Sequence, residues 1–413
     1  MMLPNGWKKV GLFDVVSIES TLVDPKKEPY SEMNLIAPDH IQSETGVVLA
    51  LVPAKEQYAI SGKYLVKKGD VIYSKIRPYL KKACKASEEC LCSADMYPLT
   101  VSDQMDSSFL LHMLLSETFT KYANSCSTRT GIPKINREDL ALFQFYLPPI
   151  EEQKKIAATL LVWDSAIEKM EKLVEAKISQ KKSVTYKLIE NQNEVKFKLG
   201  NVTIDKSEWE KKRFKDVFEF LSTNTFSREL MSTDEGLIKN IHYGDVLIKY
   251  GELLDVDSAK IPCLKSSVDS SKMTFLQSGD IVIADTAEDE TVGKAVEVLN
   301  VEDHLVVSGL HTMLCRPQKE MFYHGWLGYY INSKEFHRQL IPLITGIKVS
   351  SIAKKDIVDT IVLIPSFHEQ KIIVETLSET NKELSLLKQQ LENYKKQKQG
   401  LMQKLLTGQW RVK

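Results

Sequence analysis

The chain has 413 residues, 43% hydrophobic and 27% charged, which excludes wholesale disorder and a collagen-like fibre and leaves room for two or three domains. Its 55 basic and 55 acidic residues cancel, so any nucleic-acid surface must come from local clustering and not from net charge. Six cysteines over this length are no disulfide framework, and with no signal-peptide pattern and no apolar run of membrane-spanning length, a reducing cytoplasm is expected.

The first globular part opens on "WKKVGLFDV" from Trp7, followed by short β-branched runs between Gly and Asp turns, such as "GDVIYSKI". Between Lys63 and Lys85 the chain carries Lys63, Lys67, Lys68, Lys75, Arg77, Lys81, Lys82 and Lys85 against one acid, Asp70, with Tyr64, Tyr73 and Tyr79 interleaved. Such a run suits phosphate contacts, and Arg77 suits a guanine edge; the alternative is a solvated strand-and-loop face. A helical stretch from Ser107 follows. The loop "STRTGIPKINRED" then presents Arg129, Lys134, Asn136 and Arg137, either as a groove-facing tip or as an ordinary turn.

From Leu147 the chain reads "LPPIEEQKKIAATL", with Glu151 and Glu152 in the first turn of a predicted helix, where the helix dipole favours them. Ile167, Met170, Val174, Lys177, Lys181, Val184 and Leu188 alternate in steps of three and four, the spacing of a heptad seam. Residues 191–206 are polar, show no clear period and read as a linker.

The second half repeats the first in order. "WEKKRFKDV" from Trp209 echoes the start, "SGDIVIAD" from Ser278 echoes "KGDVIYSK" from Lys68, and "ITGIKVS" from Ile344 echoes "RTGIPKI" from Arg129. The basic run does not repeat: its counterpart carries Asp285, Glu288, Asp289 and Glu290. Basic candidates here are Lys239, His242, Lys249, Lys348, Lys354 and Lys355, while His311 in "SGLHTML" reads as a packed or sheet-edge histidine. "IPSFHEQKIIVETL" from Ile364 repeats the Leu147 phrase at an offset of 217 residues. Ser366 and Glu369 form a predicted capping box. Leu384, Leu387, Leu391, Tyr394, Lys398, Leu401 and Leu405 continue the seam, and Gly408 is placed to end the helix.

The predicted fold is therefore α+β, two globular parts in tandem repeat at 1–147 and 207–364. The helical segments are 148–190 and 365–413, with the linker at 191–206. Two matched seams in one chain are expected to pair as an antiparallel coiled coil, because that connection needs no crossover the length of the helix. The expected form is a dumbbell with an approximate two-fold axis. A 22-residue seam spans about 33 Å, close to one turn of B-DNA; the alternative is a plain spacer of no particular length.

Catalytic signatures are absent from the sequence. Gly62-Lys63 and Gly293-Lys294 lack the rest of a phosphate-binding loop. There is no adenine-methylase signature and no glycine-rich cofactor loop. The acidic cluster at 285–290 has no lysine two residues after an acid, as a metal-dependent nuclease would. Cys84, Cys90 and Cys92 lack the partners of a zinc site.

Two variable α+β domains, each ending in a Pro–Glu–Gln helix ("LPPIEEQKKI", "IPSFHEQKII"), with "KLLTGQWRVK" from Lys404, resemble the specificity subunit of Type I restriction–modification systems. "NLIAPDHIQSETG" from Asn34 and "LIKNIHYGDV" from Leu237 look like openings of that family's target-recognition domains. Ser366-Phe367 and His368 depart from the pattern but keep the capping logic. The resemblance implies a non-catalytic subunit that binds double-stranded DNA, each globe taking half of a split target. It implies partners: two modification (methyltransferase) subunits and restriction (translocase and nuclease) subunits. S-adenosylmethionine, ATP and Mg would belong to those partners, and no cofactor or metal to this chain. The competing readings are an orphan subunit, a coiled-coil adaptor that ignores DNA, and a degenerate nuclease or methylase.

Overall fold

The computed structural model describes all residues except 1–3, 19–20, 128–130, 192, 233–235, 266–267, 270, 347–348 and 413. The chain forms two compact units. The first comprises residues 1–174 and 387–413, the second residues 175–386. Each unit therefore holds one globe together with a stretch of both long helices, so the division runs through the helices and not at their ends.

In the first unit, four antiparallel strands run in the order Val16–Ile18, Met96–Val101, Val71–Ser74, Ala83–Lys85. A second four-stranded sheet runs Leu22–Val23, Lys63–Val66, Cys90–Cys92, Leu35–Ile36, its last pair parallel. Helices Ser107–Leu115 and Glu117–Cys126 cover the first sheet and break at Ser116, whose hydroxyl caps the second by accepting from Phe119 N. Lys8–Gly11 pairs with Gln144–Leu147 and brings the start of the globe to the root of the first long helix.

The second unit follows the same plan. Its five-stranded sheet runs Phe218–Leu221, Thr312–Pro317, Ile281–Ala284, Ala295–Leu299, Leu253–Asp255. Helices Trp326–Ile331 and Lys334–Leu340 break at Ser333, the counterpart of Ser116 at the 217-residue offset, and Ser333 caps in the same way. Glu210–Arg213 pairs with Ile361–Ile364. Residues 191–206, expected as a linker, instead contain the hairpin Lys196–Leu199 and Val202–Asp205. Gly200, at φ 58°, supplies the left-handed turn. Phe197 and Ile204 drive the hairpin, because their alternation with polar residues buries one face in the second unit's core.

The long helices span Ile150–Thr185 and Phe367–Leu406, the first closing in a π-helical turn over Tyr186–Glu190. The expected capping box is formed: Ser366 N and Oγ donate to Glu369 at 3.0 and 2.7 Å, and Glu369 N donates back to Ser366 Oγ. At the far end Gly408 takes φ 71°. Along the seam Ile167, Val174, Leu188, Leu384, Leu391 and Leu405 are buried, while Met170, Val184, Leu387, Tyr394 and Leu401 are half-buried. Within the first unit Trp163 meets Tyr394 edge-on at 6.0 Å and Glu171 pairs with Lys395 at 2.7 Å. Within the second, Lys177 pairs with Glu383. In the first unit Asp164 meets Lys398 and Glu171 meets Lys395, so rising numbers on one helix meet falling numbers on the other, which is antiparallel pairing.

The repeated phrase fixes each helix to its globe by one bonding scheme. Gln153, fully buried, donates from Nε2 to Gln104 O and Pro148 O at 2.8 and 2.9 Å and accepts from Asp106 N at 2.8 Å. Gln370, also fully buried, donates to Met321 O and Pro365 O at 3.0 and 2.9 Å and accepts from Tyr323 N at 2.8 Å. Every partner shifts by the same 217 residues. The "EQ" of the phrase is thus a structural lock, since buried backbone groups must find partners.

A second repeated node has diverged. In the first unit Asp164 sits between His112 Nε2, at 3.0 Å, and Lys398. The counterparts of these three are Tyr329, Asn381 and Lys181. Asn381 has lost the charge, and Glu252 of the globe restores it: Lys181 reaches Glu252 at 2.6 Å, and Asn381 donates to Glu252 and to the Tyr329 hydroxyl. Burial opposes ionisation of Asp164, yet His112 and Lys398 hold its carboxyl below the usual range.

Candidate nucleic-acid interface

The two basic stretches of the first unit lie far apart in sequence and meet in the fold. Strand Val71–Ser74 runs on into Lys75-Ile76, and Ile76 bridges to Lys134. Ile135 N donates to Lys75 O at 2.9 Å and Arg77 N to Pro133 O at 2.8 Å. Lys75 and Arg137 approach the Tyr97 ring at 5.6 and 5.8 Å. Burial, then the nearby Lys134 charge, lowers the Lys75 ammonium from its ordinary value, a sign of crowded cations. Arg77 at φ 49° and Lys81 at φ 48° adopt left-handed backbone, a strained conformation for side-chain-bearing residues that clusters at functional sites.

The candidate cations divide by their existing partners. Lys67, Lys68, Arg77, Lys134 and Arg137 are exposed, as is the Tyr79 ring. Lys81 is committed to Glu117 and, at 3.2 Å, to Glu44. Lys82 donates to Pro38 O and Lys75 to Ala94 O. Lys63 is buried, and Lys85 donates to Ser108. Asn136 is half-buried at the start of the short helix Arg137–Ala141. Arg129 lies outside the described residues. Arg77, Lys134 and Arg137 meet beside Lys75, and Lys67 and Lys68 are exposed as well, whereas Lys81 and Lys82 are taken by Glu44, Glu117 and the Pro38 carbonyl, all distant in sequence.

In the second unit the candidates are scattered. Lys239 donates to Val256 O at 2.8 Å. His242 is buried and caps the helix Tyr243–Ile248, its Nδ1 accepting from Gly244 N. Lys249 donates to Lys260 O and lies over Tyr250. Lys354 and Lys355 are exposed, Lys354 resting over Phe220 at 5.8 Å. Lys348 lies outside the described residues. The surface equivalent to the basic patch is formed by Asp285 and Thr286, because Thr286 pairs with Ser351 as Ile76 bridges to Lys134. His311, read from sequence as packed or at a sheet edge, is about half exposed just before the strand Thr312–Pro317.

Among the described residues, no group of three or more His, Cys, Asp and Glu side chains is arranged to hold a metal ion. Cys84 and Cys90 are buried, and burial pushes both thiols up to about 12, which makes them poor ligands and poor nucleophiles. No helix among the described residues is long and apolar enough to cross a membrane.

Comparison with known proteins agrees with this arrangement. The Type I restriction modification DNA specificity domain matches twice, over residues 4–180 and 206–395. The EcoDI specificity subunit of Escherichia coli is 34% identical over 187 residues, 45% of this chain and only 41% of that protein's length. The MjaVIII specificity subunit of Methanocaldococcus jannaschii is 27% identical over 321 residues, 75% of this chain and 71% of the relative. Among solved structures, a chain from a study of complex assembly and conformational transition of the type I R-M system shares the fold. Its TM-score is 0.61 at 20% identity, covering 99% of this chain and 100% of the other. The S subunit of a type I system from M. genitalium gives 0.54 at 15% identity, covering 98% of both chains. Two matched domains with their paired helices account for nearly all of the sequence, and the chain belongs to the Type I restriction modification DNA specificity family.

Proposed function

We propose that this chain is the recognition subunit of a Type I restriction–modification assembly and contacts a split duplex target, one half-site per unit. The carrying observation is the convergence of Arg77, Lys134 and Arg137 on one exposed surface of the first unit, joined by backbone pairing across about sixty residues of sequence. The twice-written Gln lock supports a second role: two like partners, the modification subunits, would dock on two like helix roots, with restriction subunits joining that assembly. The paired helices would then set the gap between half-sites. In this reading S-adenosylmethionine, ATP and magnesium act in the partner subunits, and this chain supplies address and scaffold without chemistry of its own.

The test is a double charge reversal, Lys134→Glu with Arg137→Glu, chosen because both side chains are exposed. Duplex binding by the full chain and by its assembled complex should fall at least about tenfold. The slope of log affinity against log salt should shrink by about two, one for each lost phosphate contact. Assembly with partner subunits should be untouched. Unchanged affinity and salt slope would remove the first unit's interface. Duplex DNA left unbound by the wild-type complex would favour the adaptor reading.

A further inference from the structure

The internal repeat puts an unexplained cluster where the first unit has its cations. In the first unit Lys75 N donates to Asp95 O at 3.0 Å; in the second Asp285 N donates to His311 O at 3.1 Å. The Lys–Asp pair has become an Asp–His pair. Exposed Glu288, Asp289 and Glu290 follow, so this surface is rich in acceptors and suited to phosphate poorly.

The neighbours of His311 select the tautomer of its neutral ring. The Thr286 hydroxyl donates its single proton to Asp285 Oδ1 at 2.8 Å. Thr286 Oγ1 also lies 3.4 Å from His311 Nδ1, and with its proton committed it can only accept there. Asp285 Oδ1 is 3.6 Å from the same nitrogen. Nδ1 therefore carries the hydrogen, and in the neutral ring Nε2 carries the lone pair. Among the described residues Nε2 has no hydrogen-bond partner. The ring packs edge-on against Tyr243 at 5.3 Å, and its side chain is 48% exposed. His311 also takes φ 55°, a left-handed conformation that costs energy in a residue with a β-carbon. A strained backbone, a fixed tautomer and an exposed acceptor coincide in one residue.

We propose that His311 reads the exocyclic amine of one base, adenine N6 or cytosine N4, in the half-site taken by the second unit, with Asp285 and Thr286 as positioning residues. This rests on the DNA-recognition reading above. Both amines face the major groove as donors, whereas thymine O4 and guanine O6 would set lone pair against lone pair. The acids that disfavour phosphate also disfavour a carbonyl edge, so they sharpen the same choice.

The experiment selects duplexes from a randomised pool with the full chain, alone and assembled with its modification subunits, and sequences them. His311→Asn keeps a residue that tolerates left-handed backbone but draws the acceptor back. Thr286→Val keeps the shape and removes the group that orients the ring. Wild type should enrich a split motif. Both variants should relax one base pair, the one whose A or C amine His311 reads, from a preference of about tenfold to under about twofold, leaving the rest of the motif intact. Replacing that base with an analogue lacking the exocyclic amine should cost wild type the same factor and His311→Asn nothing. An unchanged motif in both variants, a uniform loss at every position, or a wild type indifferent to loss of the exocyclic amine at the relaxed pair would overturn the proposal. A wild-type chain that enriches no motif would overturn the DNA-recognition reading, and the proposal with it.

Discussion

Replacing Gln153 by Ala should destabilise the first unit by about 3–5 kcal/mol. The side chain is fully buried and serves three backbone groups, at 2.8, 2.8 and 2.9 Å. Its loss strands two carbonyls and one N–H, each costing about 1–3 kcal/mol when buried, with some relief from water entering the gap. Gln370→Ala strands the equivalent three groups in the second unit and should cost about as much there. Hydrogen exchange read by mass spectrometry separates the two cases. Gln153→Ala should lower protection in peptides from 1–174 and 387–413, and Gln370→Ala in peptides from 175–386. Gln153→Glu is the sharper variant, because a carboxylate faces two carbonyls it cannot donate to. A loss below about 1 kcal/mol would refute the lock, since typical net hydrogen-bond values alone exceed that for three bonds. Equal loss of protection in both units from either variant would refute the division of the chain.

Asp164→Asn should cost the first unit about 1–3 kcal/mol at neutral pH, because His112 and Lys398 lose their shared anion. The depressed folded pKa of Asp164 adds stability that is whole above the unfolded value near pH 4 and is lost as pH falls through the folded value. The variant should therefore show a shallower acid limb in urea titrations below about pH 4, and an unchanged limb would refute the assignment. Trp7→Phe should cost about 1–2 kcal/mol more than Trp209→Phe in matched denaturation curves. Trp7 Nε1 donates to Glu152 at 3.1 Å, whereas its counterpart Trp209 Nε1 is buried without a partner among the described residues. Equal costs would show that the Glu152 bond contributes nothing.

The helical part of the structure was legible because its signals are local. A capping box spans four residues and a heptad seam recurs within a few turns, so Ser366, Glu369 and the 384–405 seam announce themselves. The repeat was legible too, since "EQ" recurs at one offset. The hairpin at 196–205 was missed because two short apolar alternations around Gly200 look aperiodic in a polar stretch. The basic patch was only half legible. That Lys63–Lys85 is cationic is plain, but which cations stay unpaired depends on Glu44 and Glu117, both distant in sequence from Lys81. From sequence His311 reads only as a packed or sheet-edge histidine, because its contact with Thr286, 25 residues upstream, is made by the fold.

The second unit is continuous in sequence, whereas the first is closed by residues 387–413. Met402 and Leu405 lie in the same core as Trp7, Leu12 and Phe109, and Arg411 clasps Glu152 at 2.7 Å. On the ribosome this reverses the usual order of maturation. The globe that emerges first must wait, with part of its apolar core uncovered, until the whole of the second unit has been synthesised. A nascent chain paused anywhere in 175–386 would present that surface to chaperones, and premature termination before Met402 would damage the domain made at the beginning.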